Sequence, residues 1–294
     1  MTFDKTKYRF SLFCCILLLS LLTVSCSKNS YKADRPSYIE ISSIDLTTNF
    51  ATEGSNSHGI TDAWVFVDDV SIGTYELPAT FPLLEEGTHR ITIFAGIQVN
   101  GISIDRGIYP FFKPYELSLD LITGTTSTLN PTVSYYSGIE FAWKEDFNLG
   151  HSMVKSGLSD TMFILMSIDT LPALGANSAV IFLDQNNSYF EARTSQKYFT
   201  PPQGFAVYLE ISYKTTNVFS VGVYKNTVTG TEKVNPFLNI RANSAWNTMY
   251  IELTDYMKVH TDAISFEVYF SAALETGLSS STIYIDNAKL IHYQ

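Results

Sequence analysis

Hydrophobic positions change their spacing along this chain, and each change marks a new element. From Phe10 to Leu22 they form a nearly continuous run, interrupted by Ser11 and Ser20, behind a short basic stretch, Lys5, Lys7 and Arg9. A membrane-spanning helix needs roughly 20 apolar residues, and this run is shorter. Charge, then a short apolar run, then small residues (Thr23-Val24-Ser25) is the order of an export signal. Residues 27–36 are polar and end in proline, the pattern of a flexible tether. From Tyr38 onward the period is two, which sends alternate side chains to opposite faces of a strand.

Ile39, Ile41 and Ile44 open the first strand region, and Trp64-Val65-Phe66-Val67 is an apolar run of strand length. Arg90 to Val99, Asn100-Gly101, and Ile102 to Tyr109 read as a hairpin, because Asn-Gly tolerates the positive φ of a two-residue type I′ turn. A second reversal is expected at Asp68-Asp69-Val70-Ser71. Tyr115 to Ile122 and Ser127 to Ser134 complete a small sandwich over 37–135.

Beyond Tyr135-Tyr136-Ser137-Gly138 the strands and their loops lengthen. Met162–Met166 and Ala179–Leu183 are unbroken apolar runs. Phe205-Val207-Leu209-Ile211, Met249-Ile251-Leu253, Ile264-Phe266-Val268-Phe270 and Ile283-Ile285 all alternate with polar residues. Separated by Gly, Asn and Pro clusters, these predict a larger sandwich over 136–294. Only Leu253–Val259 suggests a helical turn. The expectation is an all-β chain, a small β-sandwich followed by a larger one.

Cysteine sharpens the reading of the N-terminus. Of three cysteines, Cys14 and Cys15 lie in the apolar run, and Cys26 directly follows Ser25. A cysteine in that place resembles a bacterial lipoprotein signal, which implies cleavage over residues 1–25, lipidation at Cys26 and a tether over 26–36. Thr23 departs from that pattern, which usually has an aliphatic residue there. Ser27 is not the Asp of an inner-membrane retention signal, so the resemblance implies the outer membrane, facing the periplasm or the cell surface. Acyl chains such as palmitate would hold the chain there. An acylated Cys26 leaves no thiol for a disulfide, a zinc site or a nucleophile.

Charge removes another class. Lys and Arg number 19 against 29 Asp and Glu, for a net charge of −10, and no basic run follows the signal. Such a chain repels phosphate backbones, so nucleic acid is not an expected partner. The 38 Tyr and Phe suit pleated sheets.

Two stretches carry family resemblances. Asp68 to Pro78, followed by Leu84-Glu85-Glu86-Gly87-Thr88-His89-Arg90-Ile91-Thr92-Ile93, is similar to the PEGA-type β-repeat of surface proteins. That likeness implies an Ig-like sandwich in which His89 serves turn geometry. Lys144-Glu145-Asp146-Phe147, Trp246 to Thr254, and Thr282-Ile283-Tyr284-Ile285-Asp286-Asn287-Ala288-Lys289-Leu290 resemble carbohydrate-binding-module jelly rolls of galactose-binding-like type. The resemblance implies that Trp246 packs inside. It also implies that Glu145, Asp146 and Asp286 could hold a structural calcium, a cation wanting six to eight oxygens.

For ligand binding, aromatics in loop-like surroundings are the candidates: Tyr189, Phe190, Tyr198 and Phe199, with Asn186, Arg193 and Gln196 for hydrogen bonds. Filling the core is the other fate open to these rings. Catalytic signals are sparse. The histidines (His58, His89, His151, His260, His292) show no metal-ligand spacing. There is no Gly-x-Ser-x-Gly elbow, and Ser152-Met153-Val154-Lys155 lacks the partner motifs of a Ser-x-x-Lys enzyme. A glycosidase needs two facing acids, and sequence does not place Glu210, Glu252 or Glu267 in space. The expected function is a lipid-anchored, non-catalytic envelope protein whose jelly roll binds a glycan. A scaffold binding other envelope proteins and a polysaccharide hydrolase are the alternatives.

Overall fold

The computed structural model describes residues 35–167, 175–199 and 205–294; Cys26 and the signal lie outside them. The chain is all-β, built as two sandwiches. The first contains β1 (Ser37–Ile41), β2 (Asp45–Thr47), the helical turn α1 (Phe50–Glu53), β3 (Asp62–Val67), β4 (Val70–Glu76) and β5 (Ala79–Leu83). It continues with β6 (Gly87–Gln98), β7 (Arg106–Ile108), β8 (Phe112–Lys113), β9 (Tyr115–Leu121), β10 (Thr126–Leu129) and β11 (Thr132–Tyr135). One sheet runs β4-β3-β6-β7 with β9 also on β6; β10-β1-β5 and β2-β11-β8 form smaller sheets. Ile39, Ile41, Val65, Phe81, Ile91 and Ile93 close the core between them.

The run Trp64–Val67 is not buried on both sides. Ala63, Val65 and Val67 enter the core while Trp64 and Phe66 stay half-buried on the outer face. Asp68 and Asp69 both adopt positive φ, so the two-residue reversal joins Val67 directly to Val70. The Asp68 carboxylate lies 2.7 Å from the His89 ring and accepts the Arg90 N–H at 2.9 Å, so His89 fastens this turn.

The Asn100-Gly101 turn forms: both residues have positive φ and the Ile102 N–H donates to the Val99 carbonyl at 3.0 Å. A second turn follows, the Asp105 N–H donating to the Ile102 carbonyl at 3.0 Å, so ladder pairing resumes only at Gln98 with Arg106. Asn100 also reaches the second sandwich, donating its N–H to the Tyr250 carbonyl and accepting the Glu252 N–H on Oδ1, each at 2.9 Å.

The second sandwich holds β12 (Ile139–Glu145), β13 (Met153–Lys155), β14 (Ile164–Met166), β15 (Ser178–Asp184), β16 (Tyr189–Thr194), β17 (Tyr198–Phe199) and β18 (Val207–Thr215). After these come β19 (Phe219–Thr227), β20 (Gly230–Lys233), β21 (Leu238–Ile240), β22 (Asn243–Glu252), α2 (Thr254–Lys258), β23 (Ser265–Ala273) and β24 (Ser280–Tyr293). One sheet orders β14-β15-β24-β18-β22 with β12 also on β24. The other orders β13-β16-β23-β19-β20 with β17 on β23 and β21 on β19. Leu209, Ile211, Val221, Phe266, Phe270 and Ile283 fill the space between them. Trp246 does not join this core. It lies half-buried on the outer side of β22, 6.1 Å from the Tyr284 ring, because Met249 and Ile251 take the inward register.

A buried contact joins the sandwiches. Tyr109, Phe111 and Phe112 of the first meet Tyr208 and Tyr250 of the second, ring to ring. Inside it, Glu210 accepts the Tyr109 hydroxyl at 2.6 Å and the Tyr135 hydroxyl at 2.9 Å. Lys289 stands 3.7 Å from Glu210 and donates to the Ser55 carbonyl and to Tyr135. Buried charges are tolerated where they are paired and hydrogen-bonded, as here. Glu210 is thereby an interface residue rather than a cleft acid.

Candidate functional site

Strict alternation on β16, β23 and β19 sorts one sheet into a core face and an outer face. Phe190, Ala192, Phe266, Val268, Phe270, Phe219, Val221 and Val223 point inward. Register then assembles the outer face in rows: Glu191, Ser271 and Ser220; Arg193, Tyr269 and Gly222; Glu267, Tyr224 and Lys233. Tyr189 stands at one end, opposite Ala273.

Glu191 is the centre of this face and is fully buried. It accepts the Tyr189 and Tyr224 hydroxyls, each at 2.5 Å, and forms a close ion pair with Lys233. Burial alone would raise its carboxyl. The hydrogen bonds from Lys233, Tyr189 and Tyr224 outweigh burial and hold it at about 2. The same contacts work in the opposite direction on the phenols. Burial, then the Glu191 bond, pushes Tyr224 up to about 12 and raises Tyr189 as well.

Packing fixes the rings. A Cβ at Gly222 would stand 2.6 Å from the Tyr269 ring, so the glycine lets that ring lie across β19 and donate to the Val234 carbonyl at 3.0 Å. Lys233 sits 4.6 Å above the Tyr269 ring. The Arg193 guanidinium sits 4.7 Å above Tyr224 while pairing with Glu267 at 3.1 Å. Cations held over aromatic faces and bonded to carboxylates are restrained from both sides. Beside Tyr189 an open groove of about 680 Å³ continues over Ser220, Ser271 and Ala273 to Glu275 and Thr276.

The sequence-predicted ligand residues divide across the sheet. Tyr189 and Arg193 belong to the outer face. Phe190 does not; it is a core residue, because a one-residue step on a strand reverses the face. Tyr198 also packs into the core beneath β23. The side chain of Phe199 lies outside the described residues. Asn186 and Gln196 are exposed in turns at opposite ends of β16. The Asn186 N–H is bound to Asp184, and the Gln196 carbonyl accepts Thr194 Oγ1. Glu191, Tyr224, Lys233 and Tyr269 were missed. The signal for Glu191 was available in Tyr189-Phe190-Glu191-Ala192-Arg193, whose odd positions are all polar or amphipathic.

The calcium set is not assembled. Glu145 accepts both the N–H and the hydroxyl of Ser152, at 2.6 and 2.8 Å, and Asp146 accepts the Asn148 N–H. Asp286 is fully buried and accepts Ser178 Oγ at 2.7 Å and the Asn287 N–H. Burial, with Asp146 nearby, pushes its carboxyl up to about 7 despite those bonds. Lys144 and Lys289 line the same 270 Å³ cleft as Glu145 and Asp146. Among the described residues no group of three or more His, Cys, Asp or Glu side chains is placed to hold a metal. These residues do not fit a six-to-eight-oxygen calcium shell.

Nor do catalytic groups converge among the described residues. Glu252 lies against Tyr208 at the sandwich interface, while Glu267 is on the outer face. Ser152 is bound to Glu145 and Trp143, and Lys155 turns to the Asp160 carbonyl.

No protein-family model matches the chain, and no curated protein matches it. Among solved structures, a family 29 carbohydrate-binding module is similar over 52% of this chain and 90% of the module, at 14% identity and TM-score 0.32. A structure described for promiscuous carbohydrate-binding modules of the β-sandwich superfamily is similar over 80% of this chain and 87% of that one, at 12% identity and TM-score 0.34. The enzymatically active domain of bacteriophage CBA120 tailspike protein 4 is similar over 56% of this chain and 25% of its own length, at 12% identity and TM-score 0.36.

Proposed function

We propose that this protein is a lipid-anchored envelope protein whose second sandwich binds carbohydrate without cleaving it. The observation that carries the reading is the outer face of the β16-β23-β19 sheet. Tyr189 and Tyr224 present half-buried rings whose hydroxyls are fixed on Glu191. Serines and charged groups surround them, and an open groove continues the surface. Aromatic bodies with polar tips match a sugar, whose C–H faces lie on rings and whose hydroxyls need hydrogen-bond partners. Non-catalytic binding is supported by the acid at the centre. Glu191 is held ionised down to about pH 2 and out of solvent, whereas a glycosidase general acid must stay protonated near its working pH.

The first sandwich, packed on the second through Tyr109, Glu210 and Tyr135, would hold the face away from a membrane. The export segment ending at Cys26 supports the anchor and the outer membrane as its destination. A glycan array with the mature chain tests the binding reading. Binding that is lost in Tyr189→Ala/Tyr224→Ala, with the melting curve retained, supports it; silence across the array defeats it. Radiolabelled palmitate incorporated by the wild type and absent from Cys26→Ala tests the anchor.

A further inference from the structure

We infer that this face selects neutral, hydroxyl-rich chains and rejects anionic ones, because its tyrosine protons are already turned inward and its cations already paired. The inference rests on the carbohydrate-binding reading and specifies the class of ligand. A phenol has one proton to donate and lone pairs with which to accept. The Tyr189 and Tyr224 protons go to Glu191, and the Tyr269 proton goes to the Val234 carbonyl. Tyr269 is fully buried, so toward a ligand it is the half-buried Tyr189 and Tyr224 hydroxyls that remain, presenting acceptor lone pairs. An acceptor surface binds groups that donate, which every sugar hydroxyl can do. A carboxylate or sulfate ester has only acceptors to offer and meets the phenol oxygens unfavourably.

The two cations do not reverse this preference. Lys233 is paired with Glu191 and Arg193 with Glu267, so the four charges cancel. Each cation also lies over a tyrosine ring, Lys233 on Tyr269 and Arg193 on Tyr224. An incoming anion would meet cations whose charge is already matched by a carboxylate, in a chain whose net charge is −10. Both halves of the argument run through Glu191. It fixes the direction of two phenol protons and neutralises the nearer cation, and it is a positioning residue because it is itself out of reach of ligand.

Affinity electrophoresis of the mature chain tests the inference. One series of gels contains soluble neutral polymers (a β-glucan, a galactomannan, an arabinoxylan). The other contains acidic polymers (polygalacturonate, alginate, chondroitin sulfate). Retardation by at least one neutral polymer, unchanged when salt is raised about tenfold, and none by the acidic polymers, is the expected result. Retardation by an acidic polymer at equal or lower concentration overturns the selectivity while leaving carbohydrate binding intact. Silence in every gel overturns the binding reading and this inference with it. Glu191→Gln adds a second readout, since its amide frees a phenol proton and leaves an unpaired cation. Neutral affinity should fall about tenfold or more, with acidic polymers beginning to retard the variant. A folded Glu191→Gln with unchanged selectivity overturns the positioning role.

Discussion

Glu210→Ala should weaken the whole chain, because Glu210 is the acceptor on which both sandwiches close. Its carboxylate is buried and receives the Tyr109 and Tyr135 hydroxyls, with Lys289 at 3.7 Å. Hydrogen bonds to a charged group contribute about 1.5–3 kcal/mol each, so two lost bonds alone cost about 3–6 kcal/mol. Removing one partner of a buried ion pair costs about 3–5 kcal/mol. These views describe the same loss and should not be added, which leaves about 3–5 kcal/mol. At roughly 2–4 °C per kcal/mol for a chain of this size, Tm should fall roughly 6–20 °C. The assay is urea unfolding followed by fluorescence in single-tryptophan backgrounds, with Trp64 reporting on the first sandwich and Trp143 on the second. Glu210→Gln/Lys289→Met should be more stable than Glu210→Ala, because no uncompensated charge stays buried. Destabilisation by Glu210→Ala below about 1 kcal/mol would refute the reasoning. So would a wild-type Trp64 transition well separated from that of Trp143.

Three further outcomes follow from particular contacts. Burial pushes the Asp286 carboxyl up to about 7, well above the ordinary carboxylate range. The native state therefore holds a proton that the unfolded chain releases, and stability should decline as pH rises from about 4 to 7, then level off. Asp286→Asn should remove that slope in urea titrations across this range. Gly222→Ala places a methyl 2.6 Å from the Tyr269 ring; it should cost about 1–3 kcal/mol by overpacking and weaken ligand binding in calorimetry. Because Glu145, Asp146 and Asp286 do not form a shell for calcium, EGTA should leave Tm unchanged; a drop of several degrees would contradict that geometry.

Local alternation made most of the fold legible. Ile39-Ile41, Val207-Leu209-Ile211 and Phe266-Val268-Phe270 carry the inward face in their own pattern, while Phe205 and Ile264, just ahead of their strands, are exposed; Leu253–Val259 contains the short helix α2. Facing was less legible where both faces are aromatic. Tyr189 and Phe190 are neighbours of similar size, and only the register with Ala273 and Ala272 on β23 shows which one is outside. Trp246 failed for the same reason, one step out of phase with Met249 and Ile251. Long-range pairs left no local trace. Nothing around Asn100 indicates that it bonds Tyr250 and Glu252, and nothing near Glu191 points to Lys233, which is 42 positions away.

The central claim is that ligand is held on the rings above Glu191, and ring-resolved NMR of tyrosine-labelled protein tests it most directly. On titration with whichever glycan the array identifies, the ring signals of Tyr189 and Tyr224 should shift to saturation together. Those of Tyr109, buried at the sandwich interface, should stay in place. Saturable shifts at other rings, with Tyr189 and Tyr224 unmoved, would contradict the account.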